Sequence, residues 1–234
     1  PPRRRPGASA PRAPRPAGAP DALADALERG RRLAVQRGLL PEAPEGEAAA
    51  AVRVVLAGAE AEAAAAAVLE GLPAPGEGCV VALQGPPSDE KAAVLRALQR
   101  QLPRVETWTV STFFRAVAFL LMTFSEQTGT SLKDVLQKPE MLAAGIEMIQ
   151  EMRAGNSIGS MAADAEQMMS MSSDGSKIDE NLPLAMEYGQ GEVVKFINNA
   201  LIELRSKDSS MTVLLDGPEE ILRYTPTTHR FTLS

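Results

Sequence analysis

CVVALQGPPSDEKAAVLRAL, residues 79–98, runs from an apolar stretch through a glycine and two prolines into a segment with helical spacing. It reads as a buried strand, a tight turn and a helix. That is the layout of a phosphate-binding P-loop, G-x-x-x-x-G-K-[ST]. Gly85 and Lys91 stand at the required separation, but Glu90 occupies the second glycine position and Ala92 the Ser/Thr position. A P-loop wraps phosphate with consecutive backbone N–H groups and the positive end of a helix. Glu90 adds a Cβ and a negative charge where the backbone must approach the ligand, and Asp89 adds another charge. Two like charges about 4 Å apart repel by roughly 4 kcal/mol at an effective dielectric of 20. Pro86 and Pro87 remove two N–H donors, and no hydroxyl at Ala92 is available for Mg²⁺. The frame of the motif is kept and its chemistry is lost. The plain alternative is a strand–turn–helix in which Ser88, Asp89 and Glu90 favour the helix start.

Outward from this stretch, a β-α-β-α alternation continues. Strands are expected at about 79–84 and 104–110. A helix spans 88–102, with Val94, Leu95, Leu98 and Leu102 at helical spacing, and a second spans 112–126 behind the cap candidate Ser111. Short helices follow at 132–137 and 140–155, then a helix at 191–206 and strands at 211–216 and 229–234. Such alternation implies an α/β fold. We expect a three-layer core with a mostly parallel sheet, Val80–Gln84 and Thr212–Asp216 being its central strands. Asp216 should then sit at a strand's carboxyl end beside the 85–92 loop, where ligands bind in open sheets.

The flanks differ in character. Residues 1–20 are Pro, Arg, Ala and Gly almost throughout, with no acid. They cannot bury a core, and a disordered or partner-ordered tail is expected. Their composition fits the remains of an organellar transit sequence, a low-complexity tail, or a basic arm docking on an acidic partner. The chain begins with Pro, as a processed or incomplete product would. Residues 21–78 read as a helical extension: a helix at 21–40 capped by Asp21, then an Ala-rich helix at about 46–71 ending at Gly71. The domain proper is 79–234, with a Met-rich insertion at about 138–180. Seven of the ten methionines fall between Met141 and Met171; such a surface is either an adaptable binding face or loose core packing. SSDGSKIDE, 172–180, reads as a flexible loop without the ligand spacing of a calcium site.

The net charge of −6 argues against general nucleic-acid binding. One cysteine, Cys79, excludes an internal disulfide, and one histidine, His229, leaves little room for a metal centre or a Ser-His-Asp triad. Cys79 reads as a buried, inert thiol. No apolar run reaches the roughly 18 residues of a spanning helix.

With these pieces placed, the chain resembles the nucleoside-monophosphate kinases, and cytidylate kinase most. Three islands carry this. LQGPPSDEKA stands against the family's D-G-P-S-G-A-G-K-G. VSTFFRAVAFL is similar to D-S-G-x-x-Y-R-x-x-x-x and keeps Arg115 at the arginine position. VLLDGPEEILRYTPTTHRFTLS is similar to A-D-G-R-D-x-G-x-x-x-x-P-x-A-x-x-x-F-L-x-A, matching at Asp216, Gly217, Pro226 and Phe231. The islands cover about 79–234. Pro218 replaces the arginine of D-G-R-D, and the sequence stops at Ser234, before the positions where the family's Arg-bearing lid is expected. Phosphoryl transfer is mostly positioning and charge neutralisation, so these departures weigh against activity. The resemblance implies vestigial nucleotide-binding candidates at Gly85, Lys91, Arg115 and Asp216. On the residues alone, Lys91 reads equally as a solvated lysine and Arg115 as a surface cation over Phe side chains.

Two expectations stand. The first is a non-catalytic subunit of a larger organellar assembly, with plastid favoured over mitochondrion. It has no cofactor, metal or nucleic acid, its partners are other protein subunits, and any membrane association is peripheral and through the complex. The second is a divergent CMP-like nucleotide kinase or nucleotide binder that uses Lys91 and Arg115.

Overall fold

Val80–Gln84 is buried along its whole length and forms β2, the middle strand of a five-stranded sheet in the computed structural model. The structure describes residues 19–43, 51–55, 60–74, 76–152 and 175–234. The other strands are β1 (Val52–Val54), β3 (Val105–Thr109), β4 (Thr212–Gly217) and β5 (His229–Leu233). Their order is β1-β5-β2-β4-β3, and every pairing is parallel. The unbroken apolar run Val80–Leu83 has a simple cause. Successive side chains point to opposite faces, and a parallel sheet is covered on both. Val81 and Leu83 enter one core with Leu214, Phe231 and Leu233. Val80 and Ala82 enter the other with Val213 and Leu215.

Helices make the outer layers. On the first face lie α2 (Ala61–Glu70) and α3 (Asp89–Gln101), through Ala65, Val68, Val94 and Leu98. On the second lie α1 (Ala19–Gln36), α4 (Val110–Thr128), α5 (Leu132–Leu136), α6 (Pro139–Met152), α7 (Gly175–Lys207) and α8 (Glu219–Leu222). The architecture is the expected three-layer α/β fold with a parallel sheet, and both expected central strands, β2 and β4, are interior.

Four local expectations are corrected. The Ala-rich helix over 46–71 is replaced by strand β1 and the shorter α2. Val52 and Val54 are β-branched, stiff at χ1 and suited to a pleated strand, and the edge of β5 offers them partners, with Val52 opposite Phe231 and Val54 opposite Leu233. The strand ties the segment 21–78 into the same sheet as the rest. Asp21 is not an N-cap, because α1 starts two residues earlier, at Ala19. Ser111 likewise lies inside α4, whose N-cap is Thr109. The loop expected at 172–180 is helical from Gly175, and α7 runs through Pro183. Burial of Ile178, Ala185 and Met186 supplies what Pro183 removes from the helix ladder. The centre of the Met-rich insertion, 153–174, and the tail 1–18 lie outside the described residues; Leu142 and Ile146 of α6 are buried in the second-face core.

Small residues set how closely the second face packs. A Cβ on Gly30 of α1 would stand 2.6 Å from the carbonyl oxygen of Met186 on α7, so the two helices meet backbone to backbone. The contact is laced at its rim by Arg29 and Glu187, 2.8 Å apart.

Candidate functional site

In the loop after β2, α3 begins early, at Asp89, four residues after Gly85. Gly85 has φ +128°, and a Cβ there would overlap the carbonyl oxygen of Leu233 at the end of β5. Only glycine adopts this conformation freely, so Gly85 is fixed by the approach of β5 as well as by the turn. Pro86, Pro87 and Ser88 follow, and α3 begins at Asp89. Ser88 is the N-cap, and its Oγ accepts from the Lys91 N–H at 3.1 Å. The helix therefore starts two residues before the lysine. One of its free N–H groups is already used by Ser88, and the two prolines contribute none. Glu90 sits in the first turn, exposed. Hydrogen bonds from its own backbone and to Ser88 hold its carboxyl below the usual range, so its charge is present at neutral pH.

Lys91 turns inward. It is 3% exposed, and its Nζ lies 2.7 Å from Asp216 Oδ1 and donates to the carbonyl oxygen of Gly85 at 3.0 Å. The fold places these groups together: Asp216 pairs with Leu83 near the carboxyl end of β2, one strand away, and α3 lays its first turn over that edge. Three of the four residues singled out in the sequence, Gly85, Lys91 and Asp216, thus meet at the carboxyl edge of the sheet. Buried charges are tolerated when paired and hydrogen-bonded, and here the lysine has both within the chain. An incoming phosphate would have to displace a carboxylate that is already in place.

Arg115, the fourth, is paired with a different acid. Its Nη1 lies 3.1 Å from Asp179 Oδ1 on α7, and this half-exposed pair ties α4 to the start of α7. Its Nε is buried without a partner among the described residues. Sequence reasoning missed Asp179 because its surroundings read as a loop. It also missed Gln84, buried in β2 with Oε1 accepting from the Thr232 hydroxyl at 3.4 Å, which closes the edge beside Gly85. Gly217 marks a second close approach: a Cβ there would stand 2.6 Å from Val110.

A cavity of about 360 Å³ lies at the other end of the sheet, lined by Leu69, Leu72, Cys79, Leu102 and Arg104 among others. Cys79 is 3% exposed, and burial pushes its thiol pKa up, partly offset by its contact with Thr212. Among the described residues, no group of three or more His, Cys, Asp or Glu side chains is placed to hold a metal ion. Nor is any described helix long and apolar enough to cross a membrane. No protein-family model, curated protein or solved structure matches the chain.

Proposed function

We propose that this chain is a non-catalytic structural or interaction subunit of a larger protein assembly, built on a cytidylate-kinase-like domain whose nucleotide site is disabled. The observation that carries the reading is the internal closure of Lys91 by Asp216 and the Gly85 carbonyl. The lysine that would neutralise a nucleotide's phosphates is already neutralised, in a loop that has lost two N–H donors and gained two carboxylates. Arg115, the other cation the resemblance supplies, is engaged with Asp179. The partners are other protein subunits, and neither nucleic acid nor cofactor is part of the reading. The acid-free, Arg-rich segment 1–20 supports an organelle, plastid before mitochondrion, with any membrane association made through the complex.

Calorimetry of ATP and CMP on the full chain, with and without Mg²⁺, tests this. No heat of binding is expected at millimolar nucleotide. Micromolar binding abolished by Lys91→Ala would overturn the proposal in favour of a nucleotide-binding or kinase role. Asp216→Asn separates the two causes of loss. If the carboxylate alone blocks the lysine, that variant gains affinity for ATP. If the prolines and acids of the loop also block it, the variant stays silent.

A further inference from the structure

Arg230 is a buried charged side chain that forms no ion pair among the described residues. It is the second residue of β5, opposite Ala82 of β2, and 6% exposed. Phe231 and Leu233 point to the α2/α3 core, so by alternation Arg230 points to the other face, away from the Lys91–Asp216 pair. Its Nη2 donates to the carbonyl oxygen of Thr225 at 3.0 Å, while its Nε is buried with no partner among the described residues. No carboxylate among the described residues forms an ion pair with it. Guanidinium is ionised at any pH a protein tolerates. Burial disfavours its charge, Glu219 helps from a distance and Arg223 opposes. A buried ion with no counter-ion costs several kcal/mol in general.

Two further orphans lie in the same six-residue turn. Thr225 is 2% exposed, and its hydroxyl has no partner among the described residues; the hydroxyl of Thr227 is also buried and unpaired among them. Across from them, Asn198 on α7 donates to the carbonyl oxygen of Tyr224 at 2.9 Å and leaves its Oδ1 buried and unpaired. Native proteins rarely leave such groups unsatisfied. A guanidinium and two hydroxyls are donors of the kind that recognise tetrahedral oxyanions. The amide oxygen of Asn198 suits the one proton that hydrogen phosphate carries.

We propose that Arg230, Thr225 and Thr227 bind a small tetrahedral oxyanion, of the phosphate class, at the amino end of β5.

The test is a titration of the full chain with inorganic phosphate at constant ionic strength, set with sodium chloride. It is read by thermal unfolding and by calorimetry, beside Arg230→Gln. The expected result is a saturable rise in Tm and a measurable heat with wild type, both absent in Arg230→Gln, which keeps Lys91 intact. If Arg230→Gln does not fold, Thr225→Val with Thr227→Val keeps the cation and removes the hydroxyls; affinity should fall about tenfold or more, the effect of losing hydrogen bonds to a charged group. Sulfate in place of phosphate should bind more weakly, because it has no proton for Asn198. Equal responses of wild type and variants to phosphate, or no saturation up to tens of millimolar, would overturn the proposal and leave water as the partner of these groups.

Discussion

Lys91 and Asp216 are best understood as one unit. Removing one member of a buried ion pair costs about 3 kcal/mol or more, because the other is left uncompensated, whereas replacing both by apolar groups is often near neutral. Lys91→Met should therefore lower stability by about 3 kcal/mol in urea unfolding, and Lys91→Met with Asp216→Leu should recover most of that loss. A double variant as unstable as the sum of the singles would show that the two side chains act separately. Glu192 makes the opposite kind of case. Burial pushes its carboxyl pKa up, against smaller opposing effects of its own backbone hydrogen bond, Arg37 and Lys195, and its Oε2 has no partner among the described residues. The folded protein holds this proton more tightly than the unfolded chain does. The stability it contributes is full below the ordinary value near 4.5 and is lost as pH rises through the raised folded value. Glu192→Gln should raise stability at pH 7 by about 1 kcal/mol and change little at pH 4. Melting curves at the two pH values check this, and an equal effect at both would show that ionisation is not the cause. The meeting of Gly85, Lys91 and Asp216 was legible from the P-loop-like spacing and from the end of β4. The closure of the lysine was not, because which carboxylate it reaches depends on how far α3 advances into the loop.

At the scale of elements, strands buried on both faces were the easiest to read. VVAL and TVLL have no alternation to misplace, and a turn signal bounds each. The failures came where tertiary contact outweighs local preference. The three-residue β1 sits among alanines that favour a helix, and only the waiting edge of β5 makes it a strand. The start of α7 carries glycine, serine, aspartate, asparagine and a proline, every one a loop signal. It is helical because Ile178, Ala185 and Met186 are buried there. Pro183 nevertheless leaves the carbonyl of Asp179 without its helical donor. A proline in a helix interior costs about 3 kcal/mol relative to alanine when nothing compensates. Since packing already carries this helix, Pro183→Ala should stabilise the protein by about 1 kcal/mol and increase the helical signal in circular dichroism. A loss of stability would mean that the backbone fixed by Pro183 is needed to set Asp179 against Arg115.

Over the whole molecule, the sheet has a core on each face, and each carries its own reporter. Trp108, the sole tryptophan, is fully buried on the α4/α7 side. Cys79, the sole cysteine, is buried on the α2/α3 side. Strands β2 and β4 contribute side chains to both cores, so neither can dissolve without exposing the back of the other. The segment 21–78 enters this arrangement twice: α1 packs on α7 in one core, while Val54 of β1 and Ala65 of α2 lie in the other. The cores are therefore expected to unfold as one cooperative unit. In a urea titration, the far-ultraviolet signal, Trp108 fluorescence and the reactivity of Cys79 toward a thiol reagent should share one midpoint. The thiol should be inert before that midpoint, as its burial and raised pKa require. Early reactivity of Cys79 with Trp108 still buried would mean that the α2/α3 layer opens first. The side of the sheet that carries Lys91 and its loop would then be the mobile one, and the site would be closed by a ground state that opens, rather than by the fold as a whole.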